Sequence, residues 1–586
     1  MSVESRGNVR EGMSRRAFLT GAAVAGAGTA LVGLAGCSSA SGGSGEASSG
    51  SADASASSAG ETAAASSTTE PWKVAPEPIA DDQIVETTDC DIVIVGAGIA
   101  GLPASMLAAE QGANVHIVEK AGTYGTARLC TSGFNAKLQT DNGIHYDREE
   151  FITEAWKITN GVQGRMSSYG KWFDNSGPYI DWLQGIFQSK GYDLVAQQVN
   201  GFKVTNDGIG QSGYDSFWTA FASMIYFIDQ DGKTLDQGVN PDWTGIMASY
   251  AEECGATFHY NCPAVQLAKD ESGRVVSVIC ENEDGEYVRF NASKGILLAT
   301  GDFASNKEMV GYYNRSLLKA STAIAEVKNT GDGHKMGLWV GADIDDFACG
   351  DCFPFVGVTL DNKRPQSDKT KSYAAVASLP VLMVDSTGRR IAAENIPFQG
   401  FSIPKITTTP DGAAWSVWDS AWESKFPADY PRGDYLSTNT AEQLEIDLEA
   451  GTIQKADTLE ELADIAGFDK DIFLREVNRY NELCAGGVDL DFYKSPLWMT
   501  TIDTPPYYVS KHVVSVTSTR GGLKINDQMQ VLDTSGLPIA GLYAAGNTAG
   551  SFYGNVYPPN IMGTGIGHGQ CFGWLAIKDM LGMEVL

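Results

Sequence analysis

The segment from Cys90 to Glu119 constrains the fold of this chain more than any other. It reads as an apolar run CDIVIV, a glycine turn GAGIAG, a helix-forming stretch, and a second apolar run that ends in Glu119. Gly96 permits a tight turn, Gly98 lets the backbone approach a pyrophosphate, and Gly101 lets the helix pack closely on the strand. The carboxylate of Glu119 can accept hydrogen bonds from ribose hydroxyls. An ordinary glycine-rich turn would lack the second strand and its acid, so the pattern predicts a βαβ unit that binds a dinucleotide.

Composition and charge narrow the class of protein. The chain has 586 residues, enough for two or three domains, and its 42 basic and 72 acidic residues give a net charge of −30. Such a charge argues against binding to nucleic acid and against charge-driven binding to anionic lipid. We therefore expect a small-molecule substrate and no nucleic-acid partner.

The first 37 residues are typical of an export signal. They contain the twin-arginine pattern Ser14-Arg15-Arg16-Ala-Phe-Leu, a weakly apolar Ala/Gly run, and the lipobox-like tetrapeptide Leu34-Ala-Gly-Cys37. This order predicts twin-arginine export and a lipid on Cys37, and so a protein held at the extracytoplasmic face of the membrane. The alternative, a transmembrane anchor, needs a longer and more apolar run.

Residues 38–85 are predicted to be a disordered linker. From 38 to 69 they are almost entirely Ser, Ala, Gly and Thr, which cannot bury enough apolar surface to fold. Such a segment would act as a flexible tether between the membrane and the folded domain. No later stretch is long and apolar enough to be predicted as a transmembrane span.

Ten cysteines are scattered along the chain, and Cys349-Gly-Asp-Cys352 is the one CxxC pair. The sequence has no CxxCH pattern for c-type haem and no second CxxC at metal-binding spacing, so no metal site is predicted. Buried thiols or a local disulfide is the favoured interpretation of Cys349 and Cys352, with a redox or cluster role as the alternative.

The rest of the chain carries helix and strand signals in turn. They predict a helix over Tyr169–Lys190, a hairpin of Val265–Lys269 and Val275–Cys280, an amphipathic segment Thr458–Leu483, and a C-terminal helix from about Gly567. The predicted fold is α/β. A Rossmann-like domain with a parallel sheet is formed by residues 86–345 and 511–586, and an α+β domain at 346–510 interrupts it.

Several long motifs, found in order, point to a family. "DIVIVGAGIAGLPASMLAAEQGANVHIVEK", "LLATGDFASNKEM", "GDGHKMG", "TLEELADIAGFDKDIFLREVNRYNELCAGGVDLDF" and "GLYAAGN" together resemble the fumarate reductase/succinate dehydrogenase flavoprotein family, which includes urocanate reductases and 3-ketosteroid dehydrogenases. The resemblance covers nearly everything from residue 88 to 586. It implies an FAD-binding domain interrupted by a mobile capping domain, with the substrate held between the cap and the flavin.

The resemblance also implies which residues bind FAD. They are Gly96, Ala97, Gly98, Ile99, Ala100, Gly101, Glu119, Lys120, Thr126, Ser132, Gly133, Thr300, Gly301, Gly546 and Asn547. Around Thr126 and Ser132 the chain is one residue shorter than the family pattern. No histidine matches the covalent flavin attachment of the respiratory complexes, so the FAD is predicted to be noncovalent. No second dinucleotide fingerprint is present, so the predicted electron donor is a membrane or cell-surface carrier.

This chain lacks the residues that handle the substrate in the fumarate reductases. The resemblance places their proton-donating cap arginine at Phe398 or Gln399, their paired histidines within Val516–Gly522, and their carboxylate clamp at Ser551–Pro558. Burying a dicarboxylate without charged partners is costly. We therefore expect a mainly uncharged substrate.

The residues found at these positions resemble those of the 3-ketosteroid dehydrogenases instead. The tyrosine that binds the 3-keto oxygen in those enzymes corresponds to Tyr557, with a backbone N–H from Gly563 or Gly565 as its partner. Tyr553 is a second candidate donor, and His568 is expected near the flavin ring. Core packing is the alternative interpretation of Tyr557, and packing or helix capping is that of His568.

These observations favour an exported FAD-dependent oxidoreductase that reduces or desaturates an activated C=C bond in an enone, a steroid-like compound or another conjugated substrate. Hydride would move between flavin N5 and the β-carbon, while a tyrosine handles the proton at the α-carbon. Two alternatives stay open. One is a fumarate reductase-like enzyme for an unsaturated carboxylate that uses other cations, such as Arg520 or Lys405. The other is an electron-transfer flavin lipoprotein without an organic substrate.

Overall fold

The computed structural model describes residues 70–125, 130–159, 164–196, 224–235, 242–320, 328–361, 381–394, 408–425, 441–554, 556–558, 561 and 563–585. These residues belong to one compact unit, Thr69–Leu586. The predicted export signal, the linker up to residue 69, and the predicted site positions Thr126, Phe398, Gln399 and Lys405 lie outside the described residues.

The strands of the described residues are β1 (Ile84–Val95), β2 (Val115–Val118), β3 (Thr131–Ser132), β4 (Asp193–Ala196), β5 (Met224–Ile228), β6 (Thr257–His259), β7 (Ala264–Lys269), β8 (Val275–Glu281), β9 (Tyr287–Leu298), β10 (Cys349–Val358), β11 (Leu382–Val384), β12 (Ala413–Asp419), β13 (Ile453–Ala456), β14 (Tyr507–Arg520), β15 (Gln530–Leu532) and β16 (Pro538–Ala544).

The α-helices of the same residues are α1 (Gly101–Glu110), α2 (Lys137–Thr140), α3 (Arg148–Thr159), α4 (Met166–Ser189), α5 (Trp243–Glu253), α6 (Lys307–Tyr313), α7 (Asp332–Trp339), α8 (Trp422–Lys425), α9 (Ala441–Ala450), α10 (Leu459–Ala466), α11 (Lys470–Gly486) and α12 (Thr564–Met580). Short 3₁₀ turns lie at Pro71–Lys73, Asp81–Gln83, Arg315–Lys319, Pro496–Trp498 and Gly546–Thr548.

The central sheet of eight strands is built around β1. Its order is β15-β16-β9-β1-β2-β6, with β8 paired to β9 and β7 paired to β8. The pairs that join β16, β9, β1, β2 and β6 are parallel, which confirms the predicted parallel sheet. The apolar end of β1 is buried throughout, as expected for a parallel strand whose two faces are covered.

Helix α1 follows the glycine turn and is buried along its length up to Ala109. It carries apolar residues on all sides, which is typical of a helix enclosed by protein. Helix α12 lies against its start, and a Cβ added to Gly573 would collide with the carbonyl oxygen of Ala100. The two helices therefore meet at backbone distance beside the predicted dinucleotide turn.

A second sheet has five antiparallel strands in the order β10-β14-β12-β11, with β13 paired to β14. Helices α10 and α11 pack on it and form an apolar core of their own with β12, around Val417, Phe473 and Tyr480. Strand β14 spans the predicted domain boundary at residue 510. A third, small sheet has the order β3-β5-β4.

The structure defines two of the predicted segments more closely. The segment Thr458–Leu483 is two helices, because Gly467 ends α10 with a left-handed φ of 76° and Asp469 caps α11 by accepting a hydrogen bond from Ile472 N at 3.0 Å. The C-terminal helix starts at Thr564, about one turn before the predicted Gly567. The predicted hairpin forms as β7 and β8.

Candidate active site

The predicted dinucleotide turn lies between β1 and α1, at the carboxyl end of the parallel strands. Gly96 has a φ of 107°, and a Cβ there would collide with the carbonyl oxygen of Ala299. A Cβ on Gly101 would overlap the carbonyl oxygen of Gly96, whereas at Gly98 no heavy atom of the described residues lies within 4 Å of the Cβ position. Two of the glycines thus serve the packing of the turn. The third faces open space at the N-terminus of α1, where a pyrophosphate would bind.

Glu119 braces this turn from the end of β2. One of its carboxylate oxygens accepts a hydrogen bond from Ala97 N at 2.9 Å, and the other accepts one from Ala121 N at 2.8 Å. Each oxygen has a second lone pair, so the same carboxylate can also accept a ribose hydroxyl.

Lys120 joins the end of β2 to the loop before α7. Its Nζ forms an ion pair with Asp332 Oδ2 at 2.7 Å, and it donates to the Lys328 carbonyl and to Thr330 Oγ1. Burial raises the pKa of the Asp332 carboxyl, but Lys120 and Lys335 outweigh burial and lower it to about 2. Lys120 therefore positions this loop, and its contact to FAD stays a prediction.

The ends of β9 and β16 bring further predicted residues to the same edge of the sheet. Thr300 N donates to Thr548 Oγ1 at 2.9 Å, and Gly333 N donates to Thr300 Oγ1 at 3.2 Å. Gly546 has a φ of 67°, and its Cβ position lies 3.0 Å from the Ala100 Cβ. Because β1, β9 and β16 are parallel neighbours, their carboxyl ends bring these segments together.

Strand β3 places Ser132 and Gly133 beside the start of α12. A Cβ on Gly567 would collide with Ser132, and a Cβ on Gly133 would lie 2.9 Å from Ile180 Cγ1 in α4. The predicted cofactor residues within the described part of the chain thus fall into four groups: Gly96, Ala97, Gly98, Ile99, Ala100 and Gly101 with Glu119 and Lys120; Thr300 and Gly301; Gly546 and Asn547; and Ser132 and Gly133.

Three of the buried polar atoms without partners lie in the same region. Ser132 Oγ, His568 Nε2 and Gln570 Nε2 are buried and have no hydrogen-bond partner within the part of the chain that the structure describes. A buried polar group left unpaired costs about 1–3 kcal/mol. A ligand that carries hydrogen-bonding groups would remove this cost, and the ring carbonyl and N–H groups of FAD are of this kind. The residues present therefore fit FAD.

A cluster of Tyr553, Tyr557 and Arg520 lies at the start of α12. The guanidinium carbon of Arg520 is 5.3 Å from the ring centre of Tyr553 and 5.2 Å from that of Tyr557. The two tyrosine rings are stacked, with centres 5.6 Å apart. Tyr557 Oη accepts a hydrogen bond from Gly565 N at 3.0 Å. Of the two backbone donors named from the sequence, Gly563 and Gly565, it is Gly565 that contacts the phenol.

Arg520 connects this cluster to the predicted flavin positions. It ends β14, it is buried, and its Nη1 donates to Asn547 Oδ1. A Cβ on Gly565 would collide with the guanidinium, so the residue at that position has to be glycine for Arg520 to lie there. Arg520, named above as a possible partner for a substrate carboxylate, thus packs against both tyrosine rings.

His568 is buried and uncharged. Burial is the main reason that its pKa is lowered to about 3; a hydrogen bond to the Thr564 carbonyl opposes this decrease, and Arg520 adds to it. Its Nδ1 lies 3.0 Å from Tyr553 Oη and 2.8 Å from Thr564 O. Because the imidazolium is absent near neutral pH, the structure favours His568 as a partner that positions Tyr553 over His568 as a general acid.

Sequence reasoning missed Asp345, which holds the loop before the tyrosines. Its buried carboxylate accepts hydrogen bonds from Ser551 N at 3.1 Å and from Gly522 N at 3.3 Å. Burial raises the pKa of this carboxyl to about 7, although the two N–H bonds oppose the increase. The surrounding sequence GADIDDF is typical of a solvated acidic loop, so no local signal marks the aspartate as buried.

Other possible centres are absent from the described residues. Within them, no group of three or more His, Cys, Asp or Glu side chains is arranged to hold a metal ion. Cys349 is buried in β10, and the side chain of Cys352 lies outside the described set. No helix in this part of the chain combines the length and apolarity needed to cross a membrane.

The chain is similar over most of its length to proteins of known function or structure. The chain is 25% identical over 500 residues to a vinyl phenol reductase of Lactiplantibacillus plantarum, covering 82% of this chain and 93% of the relative. It is 29% identical over 476 residues to a probable fumarate reductase of Shewanella frigidimarina, covering 80% of this chain and 71% of the relative. The structure of a 3-ketosteroid Δ4-(5α)-dehydrogenase from Rhodococcus jostii matches with a TM-score of 0.62 at 22% identity, covering 86% of this chain and 99% of that one, and so shares its fold.

The family described as "FAD binding domain" matches residues 91–560, which is most of the chain. This span begins at the strand that leads into the glycine turn and includes Glu119, Thr300, Gly546 and the tyrosine cluster. The chain therefore belongs to this FAD-binding family, and it is an FAD-dependent oxidoreductase.

Proposed function

We propose that the protein reduces the activated C=C bond of a mainly uncharged, conjugated substrate, with Tyr557 as the proton donor. The observation that carries this proposal is the 3.0 Å hydrogen bond from Gly565 N to Tyr557 Oη, beside the Arg520 guanidinium. A phenol oxygen that accepts this bond still has its own O–H to donate. That phenol O–H is also suited to bind a keto or phenol oxygen.

Bound FAD supplies the hydride chemistry of such a reaction. Tyr557 would deliver the proton to the carbon next to the activating group, or hydrogen-bond the oxygen on which negative charge develops. The negative charge left on the phenol oxygen is stabilised by the N–H of Gly565 and by the nearby guanidinium of Arg520. Arg520 and Tyr553 are buried, and the exclusion of water strengthens these interactions.

The comparisons support this choice of substrate class in part. The vinyl phenol reductase, matched over 93% of its length, is named for a substrate that has no carboxylate. The run Val516–Arg520 carries no histidine, and the loop Ser551–Pro558 carries no cation. An uncharged substrate needs neither a histidine nor a cation at these positions.

The buried Arg520 favours a second candidate, a reductase of an unsaturated carboxylate. A guanidinium can bind a carboxylate through two parallel N–H···O bonds, and the probable fumarate reductase is named for a dicarboxylate. This candidate stands second because Arg520 already donates to Asn547 and packs on the rings of Tyr553 and Tyr557.

Reoxidation of the reduced holoprotein separates the candidates. The flavin is reduced chemically without oxygen and mixed with 4-vinylphenol, 4-androstene-3,17-dione or fumarate, and the return of flavin absorbance is followed. We expect a neutral alkene to reoxidise the flavin and fumarate to leave it reduced. Reoxidation by fumarate alone would establish the carboxylate reductase. A flavin that exchanges electrons with redox dyes but is reoxidised by no alkene would establish an electron-transfer role.

Replacing Tyr557 by Phe tests the proton donor. We expect turnover to fall by about 10²–10⁴-fold, the usual contribution of a positioned general acid, while FAD content and flavin reduction stay unchanged. Tyr250→Phe is a matched control, because the Tyr250 hydroxyl contacts Glu110 at 3.1 Å outside this site. Near-wild-type turnover of Tyr557→Phe would show that the tyrosine packs and that the proton comes from elsewhere.

We also propose that the protein is exported through Arg15 and Arg16, held at the extracytoplasmic face of the membrane by a lipid on Cys37, and supplied with electrons by a membrane or cell-surface donor. The support is the order of the N-terminal motifs. Cys37→Ala should release the protein from the membrane fraction, and replacing both arginines by lysine should leave the precursor in the cytoplasm. Full membrane retention of Cys37→Ala would contradict the lipid anchor.

A further inference from the structure

Residues 70–83 attach the start of the described chain to the folded domain. Trp72 is buried in an apolar core, and its carbonyl oxygen accepts a hydrogen bond from Trp339 Nε1 of α7 at 3.1 Å. Farther along, Ile79 N donates to Gln266 Oε1 of β7 at 3.0 Å. The place at which the chain enters the folded domain is therefore fixed beside α7.

The surface at this place carries apolar side chains that are about half exposed to solvent. They are Val74 (55%), Tyr312 (50%) and Leu318 (49%). Tyr312, in α6, meets the Trp72 ring edge-on with centres 5.6 Å apart, and Lys73 Nζ lies 3.8 Å from the Tyr312 ring centre. Leu318 packs on the same helix, since a Cβ on Gly311 would lie 3.4 Å from its Cδ1. Exposed apolar residues are common singly, but these surround the entry of the chain as one surface.

The segments that form this surface are basic, in a chain whose net charge is −30. Residues 70–74 and 307–319 carry four basic residues, Lys73, Lys307, Arg315 and Lys319, against two acidic ones, Glu70 and Glu308. In the loop after α7, Asp343 is paired with Lys524 at 2.8 Å and Asp345 is buried, so these two acids do not offset the charge. Charges farther away than about 8 Å are largely screened at physiological ionic strength, so the local sign decides what the surface attracts. We call the three apolar and four basic residues the entry patch.

We propose that the entry patch docks on an anionic phospholipid surface, with its apolar side chains at the level of the headgroups and its cations against the phosphates. The inference rests on the proposed lipid anchor at Cys37. Tyrosine and leucine side chains suit the boundary between headgroups and acyl chains, and Lys and Arg are attracted by anionic lipid.

The predicted tether is the reason that the occupant is lipid. The 32 residues from 38 to 69 lead from Cys37 to the entry patch, and their composition gives a root-mean-square reach of about 30 Å. A lipid on Cys37 would keep the patch within reach of the bilayer, so that even weak docking becomes effectively intramolecular. The net charge of the whole chain opposes docking by the rest of the surface. The patch would therefore orient the domain on the membrane.

Vesicle binding of the mature chain without its lipid tests the patch apart from the anchor. The protein is the FAD-loaded chain from Ser38 onward, and bound protein is measured by flavin absorbance after flotation of the vesicles. The vesicles are phosphatidylcholine alone, or phosphatidylcholine with an equal part of phosphatidylglycerol. The patch variant is Arg315→Glu with Leu318→Ser. Its matched control is Arg475→Glu with Leu490→Ser, which changes an exposed arginine in α11 and an exposed leucine after it.

We expect the wild type to bind the mixed vesicles more tightly than phosphatidylcholine alone, and the patch variant to lower the partition coefficient on mixed vesicles by at least about 10-fold. The control variant should bind as the wild type does. Both variants should keep the wild-type Tm and FAD content, because the replaced side chains are exposed.

Equal binding by the two variants would overturn the assignment, as would a wild type that binds no mixed vesicles. Equal binding of the wild type to both kinds of vesicle would overturn the role of the cations. The lipid anchor is tested separately, by release of Cys37→Ala from washed membranes, so the anchor and the patch can fail independently.

Discussion

Replacing Asp345 by Asn tests whether a protonated carboxyl holds the loop of the site tyrosines. The side chain is 2% exposed and accepts hydrogen bonds from Ser551 N and Gly522 N. Burial raises its pKa from 3.8 to about 7. Asn has nearly the same shape and one acceptor oxygen, but it cannot ionise. The substitution therefore removes the titration and keeps most of the packing.

The direction of the pH effect follows from the raised pKa. The folded protein binds this proton more tightly than the unfolded chain does, so the stability that Asp345 contributes is complete below the unfolded pKa and is lost as the pH rises through 7. Between pH 5 and pH 8 the loss is about 3 kcal/mol. With an unfolding entropy of about 2.1 cal/mol/K per residue over the roughly 500 residues of Thr69–Leu586, this corresponds to about 3 °C in Tm.

Thermal unfolding of the holoprotein, followed by circular dichroism at pH 5 and pH 8, measures this difference. We expect Tm of the wild type to fall by about 3 °C more than that of Asp345→Asn between the two pH values. The exposed neighbour Asp346 provides the control. The Tm of Asp346→Asn should fall between the two pH values by about as much as the Tm of the wild type. An equal fall in the wild type and Asp345→Asn would refute the raised pKa of Asp345.

Two substitutions in the glycine turn should separate cofactor binding from folding. Gly98→Val should fold but lose the FAD absorbance, because no atom of the described residues lies within 4 Å of its Cβ position, where the pyrophosphate is expected; a folded variant with stoichiometric FAD would contradict this. Gly101→Ala should give little soluble protein, because its Cβ would overlap the Gly96 carbonyl oxygen. Gly185→Ala, which adds a methyl group in open space on α4, should leave both FAD content and yield unchanged.

The central sheet could be predicted from the sequence because its signals are local. The CDIVIV run forms the buried end of β1, the glycine turn leads directly into α1, and the hairpin β7–β8 forms around the predicted turn. Backbone conformation decides these elements within a few residues. Element ends were predicted less well: the C-terminal helix begins at Thr564 rather than near Gly567, and Gly467 divides the predicted amphipathic segment into two helices.

The arrangement of the site could be predicted only in part. Tyr557 and a backbone partner were named from the family pattern, and Gly565 is the partner found. Asp345 reads as a surface acid, and Tyr169, whose ring stacks on that of Phe552, reads as one more apolar position in a helix. Their roles arise from contacts across long stretches of chain; Asp345 and Ser551, for example, are 206 positions apart. No pattern within one segment reports such a contact.

The loop that carries the tyrosines is therefore held from two separate parts of the chain, the segment around Asp345 and the start of α4. Asp345 accepts from Ser551 N, Arg165 N donates to Ser551 O, and Tyr169 stacks on Phe552. Because these contacts meet on two adjacent residues, a change in one alters the position from which the others act. Substitutions at Asp345 and Tyr169 should then be non-additive in substrate affinity, as expected for residues that share a partner segment. The substrate preference of this enzyme would accordingly depend on the braced loop as a unit, and replacing Tyr557 alone would not be enough to change it.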